Sequence, residues 1–521
     1  MTLTKVFIFC IVFGLILTAL VEFIFKKRKS WLMSFVQNFA GVFYLFSGIV
    51  KAADPLGLAY KMDQYFAEFQ DQFARMGMDG LSSLFPWLAS FSTGFAVGMI
   101  VLELVVGVAL IIGFSRFWTS LTFFLTVVMF TILTGFTHLT GYVPGQDYVR
   151  MEKSGITKEV LEDKGKKMMA DGWTKTADIP MHFFKFSKWV PFDSNNQKVT
   201  DCGCFGDFLV LTPKTSFQKD LFLLIPAFLM LFGFKKMHQI FTPGARWGLV
   251  AVTTLGFTVY CLSNYVWDIP GVDFRPFANG VDINAKKAAE EKAAEEAPVS
   301  YILTNKASGK VEKMPMDTYI SRYKDFPKTD WDIAQKRGEP TVKSTKISEF
   351  EVSDLEGNNV TEDILQYEGA SFMVVSYKLY GDTEPETVMV NDTLLAMDTI
   401  NNEVVPRLIS VTPKQVTRDK YIWDKDQIQD YKAAIVPLAM AGRADGVRTY
   451  AITAYASPEK VNSFLQAVGA DFPMYTADDI LLKTIIRSNP GVLLIKDGKI
   501  LHKWHHSKLP SYSEIKSAYL K

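Results

Sequence analysis

A chain of 521 residues that is 49% hydrophobic and 14% aromatic, with 41 Phe and 20 Met, is too apolar for an ordinary soluble enzyme. It reads as a membrane protein with a soluble portion. A formal net charge of +1 supplies no basic field for nucleic acid and no acidic one for cationic partners, so nucleic-acid binding is unsupported.

Crossing about 30 Å of hydrocarbon takes roughly 20 apolar residues. Six runs meet that need, near residues 5–25, 31–50, 88–113, 118–140, 220–234 and 247–266. The fifth is short, and Phe217 with its apolar flank extends it. The first run has only Lys5 ahead of it and no small-residue cleavage site, so it is predicted to be a retained helix and not a secretory signal. The connections 26–30, 114–117 and 235–246 carry Lys26, Lys27, Arg28, Lys29, Arg116, Lys235, Lys236 and Arg246 and no acid. The positive-inside rule makes them cytoplasmic. Both termini, loops 51–85 and 141–217 and the C-terminal part then face the periplasm of a Gram-negative cell.

Loop 51–85 contains Tyr65, Phe66, Phe69 and Phe73 in an amphipathic pattern that ends at Pro86, suited to lying along the interface against the bundle or the soluble part. Within the apolar run at 88–113, Glu103 must be neutral or paired, because a charge at the membrane centre costs about 2.5–3.5 kcal/mol on insertion scales. Two roles suit it: a proton relay or quinone hydrogen-bond partner, or a helix-helix hydrogen bond with Gln37 or Asn38. Lys51, at its helix end, is expected to snorkel. His138 closes the fourth run and offers a second quinone contact, or an interfacial position with no role.

The densest chemistry in the chain is Cys202-Gly203-Cys204, in a polar loop ahead of the fifth run. The other cysteines, Cys10 and Cys261, sit in apolar runs, where a thiol behaves as a small hydrophobe. A Cys-x-Cys bridge closes a small strained ring that Gly203 tolerates, and strain makes such a bond labile. Thr212-Pro213 is an N-cap followed by a first-turn proline, and a loop folded over that helix start would gain thiolate stabilisation from the dipole, with Lys214 and Lys219 adding to it. Three readings stay open. The pair exchanges disulfides, it is a structural bridge or turn, or it joins His182 or His138 around a soft metal ion. The insert 141–200, with aromatics from His182 to Trp189, is placed to cover the turn.

After the last run, residues 267–344 are predicted to be a linker in which Asn284 to Glu296, rich in Ala, Lys and Glu, forms a solvated helical spacer ended by Pro298. From about 345, strands alternate with helices as in an α/β domain. Strands are predicted at 347–353, 371–377, 448–455, 491–496 and 499–505, with helices near 424–442, 457–468, 478–487 and 511–520. Asp497-Gly498 marks a hairpin. His502, Trp504 and His506 fall on one face and His505 on the other, an edge-strand surface rather than a metal site.

These elements, with Asn489-Pro490-Gly491 before the penultimate strand, resemble the thioredoxin-like fold over residues 345–521, Pro490 matching that family's cis-proline. The strand Ser371 to Tyr377 continues without cysteine, and none occurs after Cys261, so the resemblance implies a binding or scaffold module that lacks the CxxC. The segment between Asp382 and Trp423 reads as an elaboration with a partner surface.

Ser47-Gly48-Ile49-Val50-Lys51 with Asp54-Pro55, and Glu103 followed by Gly107 and Gly113, resemble the DoxX family of four-helix membrane proteins over residues 31–234. Asp201 to Asp207, around the two cysteines, resembles the related MauE-like members. The whole looks like a DoxX-type protein of Bacteroidota, with flanking helices at 1–30 and 235–266. DoxX relatives are associated with thiosulfate:quinone oxidoreductase subunits and MauE-like proteins with maturation of disulfide-rich periplasmic enzymes. The resemblance therefore implies an inner-membrane thiol–disulfide or maturation factor, linked to quinone, acting through Cys202 and Cys204 with periplasmic or inner-membrane protein partners. The alternative is a non-catalytic scaffold or assembly subunit of an envelope complex.

Overall fold

The computed structural model describes residues 2–75, 78–139, 199, 203–338, 340–400 and 403–520, and divides into two compact units, Met1–Phe274 and Arg275–Lys521. Among the described residues of the first unit, six helices are long and apolar enough to cross a membrane. They are α1 (Leu3–Ala19, continued by a π turn to Ile24), α2 (Trp31–Ala53), α6 (Ser92–Ile112), α7 (Arg116–Leu139), α8 (Pro213–Gly233) and α9 (Pro243–Ser263), with α3 (Pro55–Arg75) and the short α4 (Asp79–Ser82) and α5 (Leu84–Ala89) between the second and third. The fifth span begins at Pro213, seven residues before the run at 220–234, because Thr212 caps it by accepting from the Thr215 amide and Pro213 stands at its first turn.

α2 is the axis of the bundle and packs against α1, α6 and α8. Its approach to α6 is set by two facing glycines. A Cβ on Gly107 would lie 2.9 Å from Leu45 Cγ and 3.0 Å from the Gly41 carbonyl, and one on Gly41 would lie 2.6 Å from Ile111. α6 ends on Gly113 in the left-handed region (φ 69°), where a Cβ would meet the His238 carbonyl at 2.0 Å. The 237–242 connection is drawn onto this end: Gln37 donates from Nε2 to the carbonyls of Leu110 and His238 and accepts from the His238 amide through Oε1. Gln37 is thereby engaged, and Asn38 donates to Thr18 Oγ1, so neither is the partner of Glu103 that the sequence allowed.

Residues 55–75 of the amphipathic loop form α3, which packs on α6 and is tied to α7 by Tyr65 Oη and Thr137 Oγ1 at 2.8 Å and by Phe69 on Phe136. The loop therefore belongs to the bundle.

In the second unit, the stretch predicted as linker is largely folded. The antiparallel strands β1 (Val299–Asn305), β2 (Val311–Pro315) and β3 (Trp331–Arg337) form a sheet in the order β2-β1-β3, with α11 (Met316–Arg322) beside it, around Leu303, Met314 and Phe326. The predicted solvated spacer, α10 (Ile283–Glu295), is docked instead. Glu290, 1% exposed, accepts from the Thr345 amide and hydroxyl at 2.8 and 2.7 Å, Lys287 donates to the Ser348 and Phe350 carbonyls, and Asn284 donates to the Leu365 carbonyl.

The larger sheet has the order β10-β9-β4-β7-β8, from β4 (Ala370–Ser376), β7 (Arg448–Ala454), β8 (Met474–Ala477), β9 (Gly491–Lys496) and β10 (Lys499–His505). β4, β7 and β8 are parallel, while β9 runs antiparallel to β4 and β10. The Asn489-Pro490 bond that precedes β9 is cis. Helices at Lys425–Asp430, Val436–Ala444, Pro458–Val468, Asp479–Ile485 and Tyr512–Tyr519 accompany this sheet. β8 went unforeseen at four residues. The strand predicted at 347–353 does not form, since Asp354 accepts from the Glu356 and Asn358 amides in a tight turn and leaves Ser353 only isolated bridges to Asn359 and Thr476. The segment 382–423 is a long ribbon of β5 (Gly381–Ile400) and β6 (Glu403–Trp423) paired only with each other.

β10 is an edge strand as expected, but it is not an open histidine surface. Trp504 and His505 are buried, His502 stacks on Trp504 at 4.6 Å, and His506, beyond the strand end, places Nδ1 3.1 Å from Asp430.

Candidate functional site

Among the described residues of the bundle, four buried charged side chains form two ion pairs. Lys51 of α2 pairs with Glu103 of α6, each side chain 4% exposed. Lys219 and Asp220 of α8 pair at 2.5 Å, and Asp220 also accepts from Thr134 of α7 at 2.9 Å. All four line one cavity of about 20 Å³, with Tyr44, Ser47, Phe130 and Cys204 in its wall. That volume holds about one water and has no space for a quinone ring.

Local structure explains why these charges meet. Gly41 and Gly107 let α2 and α6 approach until Glu103 reaches Lys51, so Lys51 turns inward and is 3% exposed instead of snorkelling. The early start of α8 puts Lys219 and Asp220 about two turns inside a membrane-length helix, whereas the predicted run began only at residue 220. Aromatic faces contribute further cation stabilisation: Lys51 Nζ stands 5.3 Å from the Phe130 ring, and Lys219 Nζ 5.9 Å from both Phe43 and Phe205. A buried ion pair is weak evidence for stability, because desolvation offsets most of the Coulomb gain. Two of them around one polar cavity are better evidence of a working site.

The cysteine turn contributes Cys204 to the wall of this cavity. Ser47 Oγ donates to the Cys204 carbonyl at 3.0 Å, and Phe205 is buried edge-on against Phe43 and Phe46. The turn itself runs through a Gly206 amide to Gly203 carbonyl bond, with Gly203 over the Lys61 stem of α3, where a Cβ would come within 3.0 Å of Lys61 Cγ. Cys204 thus stands in the wall of the charged cavity, while Cys202 lies outside the described residues, as do His182 and the insert 141–198.

His138 does not join this set. It closes α7 with its ring 5.9 Å from that of Phe217, and it is not in the cavity wall. Among the described residues no group of three or more His, Cys, Asp or Glu is arranged to hold a metal ion. Sequence reasoning missed Asp220 altogether, and the signal that would have found it is the Thr212-Pro213 helix start.

Compared with family models, with curated proteins and with solved structures, the chain matches none. What it is rests on its own residues: a membrane protein with six membrane-length helices among the described residues, a buried cavity with four charged residues and Cys204 in its wall, and a C-terminal region of mixed sheets and helices.

Proposed function

We propose that the chain is an inner-membrane thiol–disulfide factor of the DoxX and MauE-like kind, serving maturation of periplasmic proteins through Cys202 and Cys204. The observation that carries this reading is that Cys204 stands in the wall of the cavity that both buried ion pairs share. A thiol beside desolvated cations and acids is in surroundings that control its ionisation and its reactivity.

In this reading one thiolate attacks a disulfide of a client protein, a mixed disulfide forms as the client bond breaks, and the second thiolate displaces the client as a dithiol. The pair is left as a Cys202–Cys204 disulfide. Two electrons from a carrier dithiol protein, oxidised to its own disulfide, restore it. The positive-inside rule puts this turn and both termini in the periplasm, where disulfides persist.

The strand order of the larger sheet, two parallel neighbours on one side of β4 and an antiparallel hairpin on the other, supports a thioredoxin-like reading of the C-terminal domain. Where relatives carry the redox pair after the first central strand, this chain has Lys378-Leu379-Tyr380. Asn489 and Gln427 both donate to the Lys378 carbonyl, and Gln427 accepts from the Tyr380 amide. The domain then acts as a binding module for the client.

A scaffold role is favoured by one observation, the β5–β6 ribbon, whose Met389, Val390, Ile409 and Val411 are exposed. Alkylation of intact cells before and after reduction, with trapping in Cys202→Ser and Cys204→Ser variants, decides between them. Thiols that change state with added oxidant and trap a mixed disulfide support exchange. A pair fixed in one state that traps nothing overturns it and leaves the scaffold.

A further inference from the structure

We propose that Asp220 is the proton acceptor of the Cys204 thiol, so that the thiolate forms by proton transfer inside the cavity and not by release to bulk water. The inference rests on the thiol-exchange reading only for its purpose; its evidence is the charge balance of the site.

Among the described residues the cavity wall holds Lys51 and Lys219 against Glu103 and Asp220, which sums to zero. A thiolate added to that balance would be an uncompensated charge in low dielectric, and buried unpaired charges are strongly disfavoured. Neutrality survives if one acid takes the proton. The S–H bond of Cys204 then breaks, an O–H bond forms on the acid, and the negative charge moves from carboxylate to sulfur with no change in the total.

Asp220 is the better placed acid. Its partner Lys219 stands over the ring of Phe205, the residue next to Cys204, so that after transfer the ammonium is left beside the turn to balance the thiolate. Glu103 is held by Lys51, whose ammonium lies toward Phe130 of α7 instead. Thr134 Oγ1 donates to Asp220 and orients it. The cavity of about 20 Å³ accommodates one water, enough to bridge a thiol and a carboxylate in its wall. Among the described residues, the titratable and charged groups that share the cavity wall with Cys204 are Tyr44 and Lys51 from α2, Glu103 from α6, and Lys219 and Asp220 from α8, with Lys61 of α3 against Gly203 and Thr134 of α7 on Asp220.

Internal transfer has a signature that a structural role lacks. Bulk protons cancel from the equilibrium, so thiolate reactivity is independent of pH over the range in which the cluster keeps its total charge. The full-length chain carrying Cys202→Ser, in lipid nanodiscs, is alkylated with iodoacetamide and Cys204 modification is followed by peptide mass spectrometry from pH 6 to 8. The expected rate is nearly flat, and Asp220→Asn turns it into an ordinary thiol profile that rises close to tenfold per pH unit, while Asp220→Glu restores the flat profile. Because Asp220→Asn strands Lys219, the neutral pair Lys219→Gln with Asp220→Asn is measured as well and is expected to show the same steep profile. A steep profile in the parent chain, or a flat one in the neutral pair, overturns the proposal. A flat parent profile in a chain that never traps a client would keep this inference and remove the thiol-exchange reading.

Discussion

Lys51 of α2 and Glu103 of α6, 52 positions apart in sequence, meet as an ion pair that solvent hardly reaches. The approach of their helices is set at Gly41 and Gly107, one turn beyond Glu103, and the pair forms one wall of the cavity under Cys204.

Removing one member of this pair leaves the other charged and buried. Glu103→Gln or Lys51→Met is expected to destabilise the bundle by about 3–5 kcal/mol, whereas Lys51→Met with Glu103→Leu should recover most of that loss. Unfolding of the purified protein in mixed micelles by added SDS measures it. Single variants as stable as the parent would mean that the pair does not exist in the membrane.

Gly107→Leu adds a side chain where even a Cβ stands 2.9 Å from Leu45 and 3.0 Å from the Gly41 carbonyl. Overpacking of this sort costs about 1–3 kcal/mol, and α2 and α6 should separate. The local consequence is faster modification of Glu103 by a membrane-permeant carbodiimide. Labelling no faster than in the parent would show that the glycines do not govern access to the pair.

His238 predicts a pH dependence. Its Nε2 donates to the Ile111 carbonyl, its Nδ1 is buried without a hydrogen-bond partner, and burial lowers its pKa against the smaller opposing effect of that carbonyl. The folded protein therefore holds the ring neutral, while the unfolded chain takes a proton near pH 6.5. The stability contribution is intact above that pH and is lost as the pH falls below it. Melting temperatures at pH 7.5, 6.5 and 5.5 should decline through this series, and His238→Asn should flatten the decline. Equal slopes in the two proteins would count against a neutral buried ring.

In the second unit, Glu290→Ala leaves the Thr345 amide without the carboxylate it donates to. A loss of about 1–3 kcal/mol is expected from charge-assisted bonds of this kind. Urea unfolding, followed by Trp331 and Trp504 fluorescence, should show it. An unchanged midpoint would return α10 to the role of solvated spacer.

The apolar runs, their number and the change to α/β alternation were legible in the sequence, because hydropathy and periodicity are local properties that the membrane and a sheet impose residue by residue. The strands at 370–376, 448–454, 491–496 and 499–505 were found this way, and so was the Thr212 cap. Charged residues were read less well. Composition alone made Asn284 to Glu296 a solvated helix and Lys51 a snorkelling end, since a lysine or glutamate with no visible partner belongs in water. Their partners, Thr345 and Glu103, lie far along the chain, and nothing local announces them. Asp220 stayed hidden for the same reason, its helix start known but its neighbours on α7 not. The sequence by itself determined which segments can cross a membrane and that two thiols stand two positions apart. Only the tertiary structure decided that four charges from α2, α6 and α8 meet under Cys204, because the cost of burying a charge depends on the groups that folding brings beside it.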